Sequence, residues 1–287
     1  MKTIFRPVYQ LLLKIFSLKI VLLYQLTNML PRGRYVTSLA LDRIFAKTTE
    51  IQISDELLVF HTPNWLTYHR AKSLQTKEPE TILWIDSMPK NSVLWDIGAN
   101  IGTFTIYASK KEIEVIAVEP SFLNIELLHR NIISNKVNQK VTIIPLGIGS
   151  ITRQQELFLS DKQLTWGGAH NSLGVNVGFD GKPLTNPISI KSFGFSIDDL
   201  IKTYSLNAPH YLKIDVDGLE SEVLKGALIA LAKVHSVLVE VDKDHLTQQS
   251  EVKEILLKCD FFLQFETESG QGTTNQIWKK LNSGDIA

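Results

Sequence analysis

Val93-Leu-Trp-Asp-Ile-Gly-Ala-Asn-Ile-Gly-Thr-Phe-Thr-Ile-Tyr107 runs from an apolar strand through a glycine turn into the start of an apolar helix. Gly98 and Gly102 stand where a strand must reverse tightly and let backbone N–H groups approach a ligand, so the stretch reads as a cradle for a nucleotide-like cofactor. Asp96, just before the first glycine, puts a carboxylate at the strand's end. A second apolar strand, Glu114-Val-Ile-Ala-Val-Glu-Pro120, ends in Glu119, where a ribose-binding carboxylate belongs in such a unit.

Outward from this unit, strands and helices alternate. The periodicity predicts strands over 93–97, 114–118 and 141–146, with helices over 102–110 and 121–135 between them. Such alternation implies right-handed crossovers and a parallel sheet. A strand-like 156–159 and a polar, glycine-rich run, Trp166-Gly-Gly-Ala-His-Asn-Ser-Leu-Gly-Val-Asn-Val-Gly178, interrupt the rhythm. Long irregular stretches inside compact domains are usually functional or mobile. The rhythm resumes with helix 197–204, strand 211–215, helix 219–232, strand 236–241 and helix 250–258. Strands 261–266 and 275–280 follow, close enough in sequence to form an antiparallel pair. The expected fold is α/β, a doubly wound, mostly parallel sheet with an antiparallel strand near the C-terminus and an N-terminal helical extension. Asp96, Glu119, Asp215 and Glu240 each close one strand, at the edge where open α/β sheets bind their ligands.

The form Asp96-x-Gly98-x-Asn100-x-Gly102 resembles that of class I methyltransferases. It is closest in kind to the FkbM family, whose members often carry asparagine where other methyltransferases have a middle glycine. Downstream, Tyr211-Leu-Lys-Ile-Asp-Val-Asp-Gly-Leu-Glu-Ser-Glu-Val-Leu-Lys-Gly-Ala227 is similar to that family's Ile-Lys-Ile-Asp-Val-Glu-Gly block. Asp217 replaces the usual glutamate there, which keeps the charge and shortens the reach. Looser matches are Ser196-Ile-Asp-Asp-Leu200, Val239-Glu-Val-Asp242 and Asn275-Gln-Ile-Trp278, so the resemblance covers about residues 78 to 281. It implies a Rossmann-like, class I methyltransferase-type sheet that binds S-adenosyl-L-methionine (SAM). The cofactor-binding residues it implies are Asp96, Gly98, Asn100, Gly102 and Glu119. It also implies an acid ahead of the first core strand, Glu80 or its neighbour Glu78, set against the cofactor. The implied reaction is O-methylation of a sugar, glycan or polyketide-like metabolite. Alternatives are a methyltransferase acting on nitrogen or nucleic acid, and a SAM-binding partner protein without turnover. The first is disfavoured by the absence of an Asn/Asp-Pro-Pro-aromatic block after the fourth strand.

NAD-binding dehydrogenases share a glycine turn followed by an acid, but their fingerprint wants a third glycine or alanine where this chain has Thr105. A strand-end carboxylate also suits the cationic amine of SAM better than a pyrophosphate. The sulfonium donor is already activated, whereas an alcohol acceptor needs a base within hydrogen-bond reach. Asp215 and His170 are the foremost candidates, with Asp217 and His245 behind them. Asp215 and Asp217 are two apart, which in an extended chain puts both on one side. With Glu240 and Asp242 the same acids could instead hold Mg²⁺. One cysteine and seven scattered histidines offer no zinc-ligand spacing, and no resident metal is expected.

The 287 residues suffice for one large α/β domain plus an extension. Lys plus Arg and Asp plus Glu both number 30, so no global field favours nucleic acid, and none is expected as a partner. The expected partner is a small-molecule or glycan acceptor. A single cysteine, Cys259, fits a reducing compartment, and the cytoplasm is the expected location. Residues 4–30 are apolar but interrupted by Arg6, Lys14 and Lys19, so no uncharged run reaches the roughly 18 residues a spanning helix wants. No small-residue cleavage site follows. As a helix this segment has a broad apolar face with Lys19 inside it. Such a helix can lie on a membrane surface, pack on its own domain or join a second copy in a homodimer. Pro31-Arg-Gly33 breaks it, which gives an expected organisation of an amphipathic helix over 1–30, a lead-in with a short hairpin and helices over 31–90, and a SAM-binding domain over 91–283.

Overall fold

The structure, a computed structural model, describes residues 5–160, 164–169, 171–178, 180–268 and 272–281. The chain divides into two compact units after Lys47. The first holds α1 (Phe5–Asn28) and α2 (Gly33–Phe45), tied where Thr37 Oγ1 donates to Asn28 Oδ1 at 3.0 Å. The Pro31–Gly33 break is thus a corner within this unit, and the division comes later than the sequence suggests. Among the described residues no helix is long and apolar enough to cross a membrane.

The second unit opens with the hairpin β1 (Thr48–Ile53) and β2 (Glu56–His61), then α3 (Trp65–Lys77) and α4 (Pro79–Asp86). The core follows as β3 (Val93–Ile97), α5 (Thr103–Lys110), β4 (Glu114–Val118), α6 (Phe122–Asn135) and β5 (Val141–Ile144). The lead-in hairpin belongs to this core. Asn135 of α6 accepts from Val59 N at 2.9 Å and donates to Val59 O at 2.7 Å, and Asn131 accepts from His61 N at 2.7 Å. Two polar side chains on one helix face thus satisfy partly buried strand backbone on the side the hairpin partner does not reach. The run from 147 to 195 forms a small sheet of its own, β6 (Gly147–Ile148), β7 (Arg153–Leu159), β8 (Asn171–Leu173) and β9 (Ile188–Phe195), in the order β6-β9-β7-β8. The chain then returns with α7 (Ile197–Tyr204), β10 (Tyr211–Ile214), α8 (Glu220–Lys225), β11 (Ser236–Asp242), α9 (Leu246–Lys258), β12 (Phe261–Glu268) and β13 (Thr273–Lys280). Helix α8 stops at Lys225 instead of running to 232, because Gly226 follows; a short 3-10 turn over Ala230–Ala232 resumes the coil.

The main sheet has seven strands in the order β12-β13-β11-β10-β3-β4-β5. Five are parallel; β13 runs antiparallel to β11 and to β12. Helices cover both faces, as a doubly wound fold requires. Along β3, Leu94 enters the cluster beneath α5 and the hairpin, while Val93, Trp95 and Ile97 enter the cluster beneath α7, α8 and α9. Every residue of β3 is buried, which is why it reads as an almost continuous apolar run. An acid within such a strand is therefore conspicuous.

Candidate active site

A cavity of about 360 Å³ opens over the carboxyl ends of β3, β4, β10 and β11, closed at one side by α3, a size ordinary for a small-molecule site. Its wall is unequally charged. Among the described residues eight carboxyl groups line it, against the three cations Arg70, Lys77 and Lys213. Asp96 is 1% exposed. Thr105 Oγ1 donates to its Oδ2 at 2.6 Å, so the threonine that departs from the dinucleotide fingerprint has a hydrogen-bonding role. Asp96 Oδ1 is buried with no partner among the described residues. Burial pushes this carboxyl above its usual range, against the pull of Lys213.

On the β3–β4 flank the chain turns at Gly98, whose φ of +86° belongs to the left-handed region. A Cβ there would fall 1.9 Å from the Asp215 carbonyl oxygen, so glycine is required because β10 ends against this turn. Asn100, at φ 50, donates its backbone N–H to Glu119 Oε2 at 2.9 Å. Glu119 Oε1 accepts from Ser121 N at 2.9 Å and Asn124 Nδ2 at 3.2 Å. Burial lifts the Glu119 carboxyl to about 7, although these donors favour its charged form. Above it lies a strap from the polar loop. Asn100 Nδ2 and Asn124 Nδ2 donate to the Gly168 carbonyl at 2.8 and 3.0 Å, Gly167 N donates to Asn124 Oδ1, and Arg70 Nε donates to the Gly167 carbonyl at 2.7 Å.

The β10–β11 flank is ionic. Lys213 is 2% exposed, stands opposite Asp96 in the β10–β3 register, and carries its Nζ to 2.9 Å from Asp215 Oδ2 and over the Phe104 ring. Burial opposes its charge, but Asp215, Asp96 and Glu78 hold it protonated above the usual lysine range. Burial likewise opposes ionisation of Asp215, yet the Lys213 ammonium outweighs it and keeps that carboxyl below the usual range. Glu240, which accepts from Thr273 Oγ1 at 2.6 Å, is driven the other way by burial and the charge of Asp215. The two carboxyl groups therefore hold unequal claims on a proton. Further in, burial pushes Glu220 up to about 8 while it accepts from the N–H groups of Val216 and Gly218 and from Gln248 Nε2.

Asp96, Gly98, Asn100, Glu119 and Asp215 all line this one cavity. Gly102 does not. It starts α5 at φ 84, and a Cβ there would sit 2.3 Å from Leu128 Cδ1, so it serves the packing of α5 on α6. Glu80 turns away too, accepting from Asn275 Nδ2 at 2.7 Å, and its neighbour Glu78 faces the cavity beside Lys77. Asp215 and Asp217 both line the wall but not as an extended pair, since β10 ends at Ile214 and Asp217 sits in a left-handed turn at φ 53. His245 caps α9 off the wall, and His170 lies outside the described residues. No group of three or more His, Cys, Asp or Glu among the described residues is arranged to hold a metal ion. The roles of Lys213, Lys77 and Arg70 are not legible in the sequence beyond a lysine in an otherwise apolar strand, Tyr211-Leu-Lys-Ile214, whereas the strap belongs to the irregular glycine-rich run 166–178, whose partners the sequence does not show.

The chain is 30% identical over 172 residues to the hexuronic acid methyltransferase AglP of Haloferax volcanii, which covers 60% of this chain and 65% of that protein. It is 25% identical over 166 residues to the methyltransferase sdnD of Sordaria araneosa, covering 50% of this chain and 62% of the other. It thus spans less than two thirds of the length of either relative. A crystal structure of a methyltransferase FkbM from Methylobacillus flagellatus KT superposes with a TM-score of 0.47 at 19% identity, over 67% of this chain and 44% of that one. The methyltransferase FkbM domain matches residues 96–263, from Asp96 through the whole Lys213–Asp215 block, and the chain belongs to that methyltransferase family.

Proposed function

We propose that the protein transfers a methyl group from SAM to a hydroxyl of a sugar, glycan or polyketide-like metabolite. The observation that carries this reading is Asp96. A buried, unpaired carboxylate oxygen costs about 1–3 kcal/mol, and the acid-rich wall around it favours a cationic ligand as its partner. The ammonium of SAM's methionine part has the right charge and donors for Asp96, and the ribose hydroxyls suit Glu119. The turn Gly98–Asn100 would carry the backbone past the cofactor, with Glu78 on the opposite wall. When bound, SAM supplies a methyl group already activated by the sulfonium charge.

The remaining work belongs to this chain. Holding the acceptor in line with the methyl carbon can lower the barrier by roughly 7–11 kcal/mol. Asp215 is the group proposed to receive the hydroxyl's hydrogen bond and its proton, with His170 as the alternative base. Since Lys213 keeps Asp215 low, orienting the hydroxyl is the larger part of its role. On the α3 side Lys77 is paired with Glu78 at 3.1 Å, which leaves Arg70 as the cation that suits a sugar bearing a carboxylate, the substrate class in the name of the Haloferax relative.

Single-turnover transfer from labelled SAM to a library of hydroxyl compounds, with SAM affinity measured separately by calorimetry, tests the assignment. Asp215→Asn is expected to lose about 100-fold in turnover with SAM affinity nearly unchanged. Loss of affinity in proportion would make Asp215 a cofactor ligand, and full turnover in Asp215→Asn alongside an inactive His170→Ala would move the base to the loop. Transfer to amines but to no hydroxyl would overturn the O-methyl reading.

A further inference from the structure

Charge is distributed very unevenly between the two units. Of the chain's 30 basic and 30 acidic residues, eight basic and one acidic fall within residues 1–47, which leaves that segment at +7 and the remainder at −7. Overall neutrality conceals this polarity. The same segment turns apolar side chains outward: Phe16, Leu18, Leu23 and Leu26 on α1, and Tyr35 and Val36 on α2, are each at least 53% exposed. On α1, at 100° per residue, Ile15, Phe16, Leu18, Leu22, Leu23 and Leu26 share one side; Lys14, Ser17 and Asn28 lie on the other, together with the exposed Ile20, Val21 and Tyr24. Lys19 falls within the apolar arc, where a lysine stem can run along apolar surroundings and deliver its ammonium to their polar edge.

Exposed apolar side chains at this density require a cover, and the charge selects it. A second copy would bring +7 against +7, so self-pairing through this segment works against electrostatic repulsion. An anionic bilayer answers both features at once, since its acyl boundary takes the apolar arc and its headgroups take the Lys and Arg. We propose that residues 1–47 seat the protein on the surface of an anionic membrane. Helix α1 lies in the plane of one leaflet, because it is not apolar enough to span it. Arg32, Arg34 and Arg43, all exposed, contact the headgroups. This attachment is independent of the methyl-transfer reading.

Flotation of the full chain with vesicles of phosphatidylcholine alone, and of phosphatidylcholine mixed with phosphatidylglycerol, tests it. The protein should float with the mixed vesicles, lose most of that binding at high salt, and bind neutral vesicles weakly. Replacing all three arginines (Arg32→Gln, Arg34→Gln, Arg43→Gln) should cut partitioning into mixed vesicles by about 100-fold. Replacing Phe16, Leu22 and Leu26 with serine should abolish it while the thermal transition stays in place, which shows that the rest of the chain is folded. Failure to float with either vesicle, or equal partitioning into both, overturns the proposal. So does a concentration-dependent dimer in sedimentation that the serine variant dissociates, because the arc then covers itself.

Discussion

The two flanks of the cavity hold their carboxyl groups by different means. On the β3–β4 flank Glu119 is gripped by neutral donors, the backbone N–H groups of Asn100 and Ser121 and the amide of Asn124. On the β10–β11 flank Asp215 is gripped by a buried ammonium, Lys213, with Glu240 beyond it. Neutral donors fix where a carboxyl group sits but favour its charge less than an ammonium would, so burial still lifts Glu119 to about 7. An ammonium fixes position and charge together. The first arrangement suits recognition of hydroxyl groups; the second suits a place where charge must be certain before a ligand arrives.

The contact between the flanks is where the comparison breaks most sharply. Gly98→Val forces a side chain into the Asp215 carbonyl at 1.9 Å and a branched residue into φ +86°, so the ends of β3 and β10 must part. A loss of more than about 4 kcal/mol is expected in urea unfolding, enough to abolish a folded cavity. If the variant stays folded and loses only SAM, the glycine serves the ligand instead of its neighbour strand. Next in size, Lys213→Met leaves Asp215 and Asp96 without their cation, and should cost about 3 kcal/mol in the same measurement. A cost below about 1 kcal/mol would mean that water compensates this flank, as at an exposed ion pair.

The smallest effect distinguishes the flanks by pH. In the proposed SAM complex the ribose hydroxyls donate to an ionised carboxylate, so below about 7 the Glu119 carboxyl would have to release a proton to bind them. SAM affinity should therefore rise about tenfold between pH 6 and pH 8 and level off above. Calorimetry in two buffers of different ionisation enthalpy reads the released proton directly. Glu119→Gln should bind more weakly with a flatter profile; an equally steep profile in that variant would put the titrating group elsewhere.

What the sequence revealed and what it hid divide by the range of the interaction. Strand β3, helix α5 and strand β4 fall within a residue or so of their expected bounds, because each is announced by its own periodicity and by turn residues beside it. The strand-end acids Asp96, Glu119, Asp215 and Glu240 do converge on one cavity, since a parallel sheet brings carboxyl ends to one edge. Partners contributed by distant segments were invisible. Nothing near Gly102 announces Leu128, nothing near Glu80 announces Asn275, and the strap at Gly168 is recognisable only once Asn100 and Asn124 stand beneath it. Asp217 differs for another reason: a spacing of two puts residues on one side only along a strand, and β10 has ended at Ile214 before it.

The stitching of the β1–β2 hairpin to α6 sets an order for events as the chain leaves the ribosome. Within the second unit the hairpin is made first, with Ile51, Ile53, Leu58 and Phe60 destined for a cluster whose other members, Leu128 and Ile132 among them, are not yet translated. Two strands alone are marginal in water, and the backbone of Val59 and His61 waits for Asn131 and Asn135. Until α6 has emerged, this apolar edge is open to whatever else binds nascent strands, so a pause that holds α6 inside the exit tunnel prolongs its exposure and a pause after α6 is out does not.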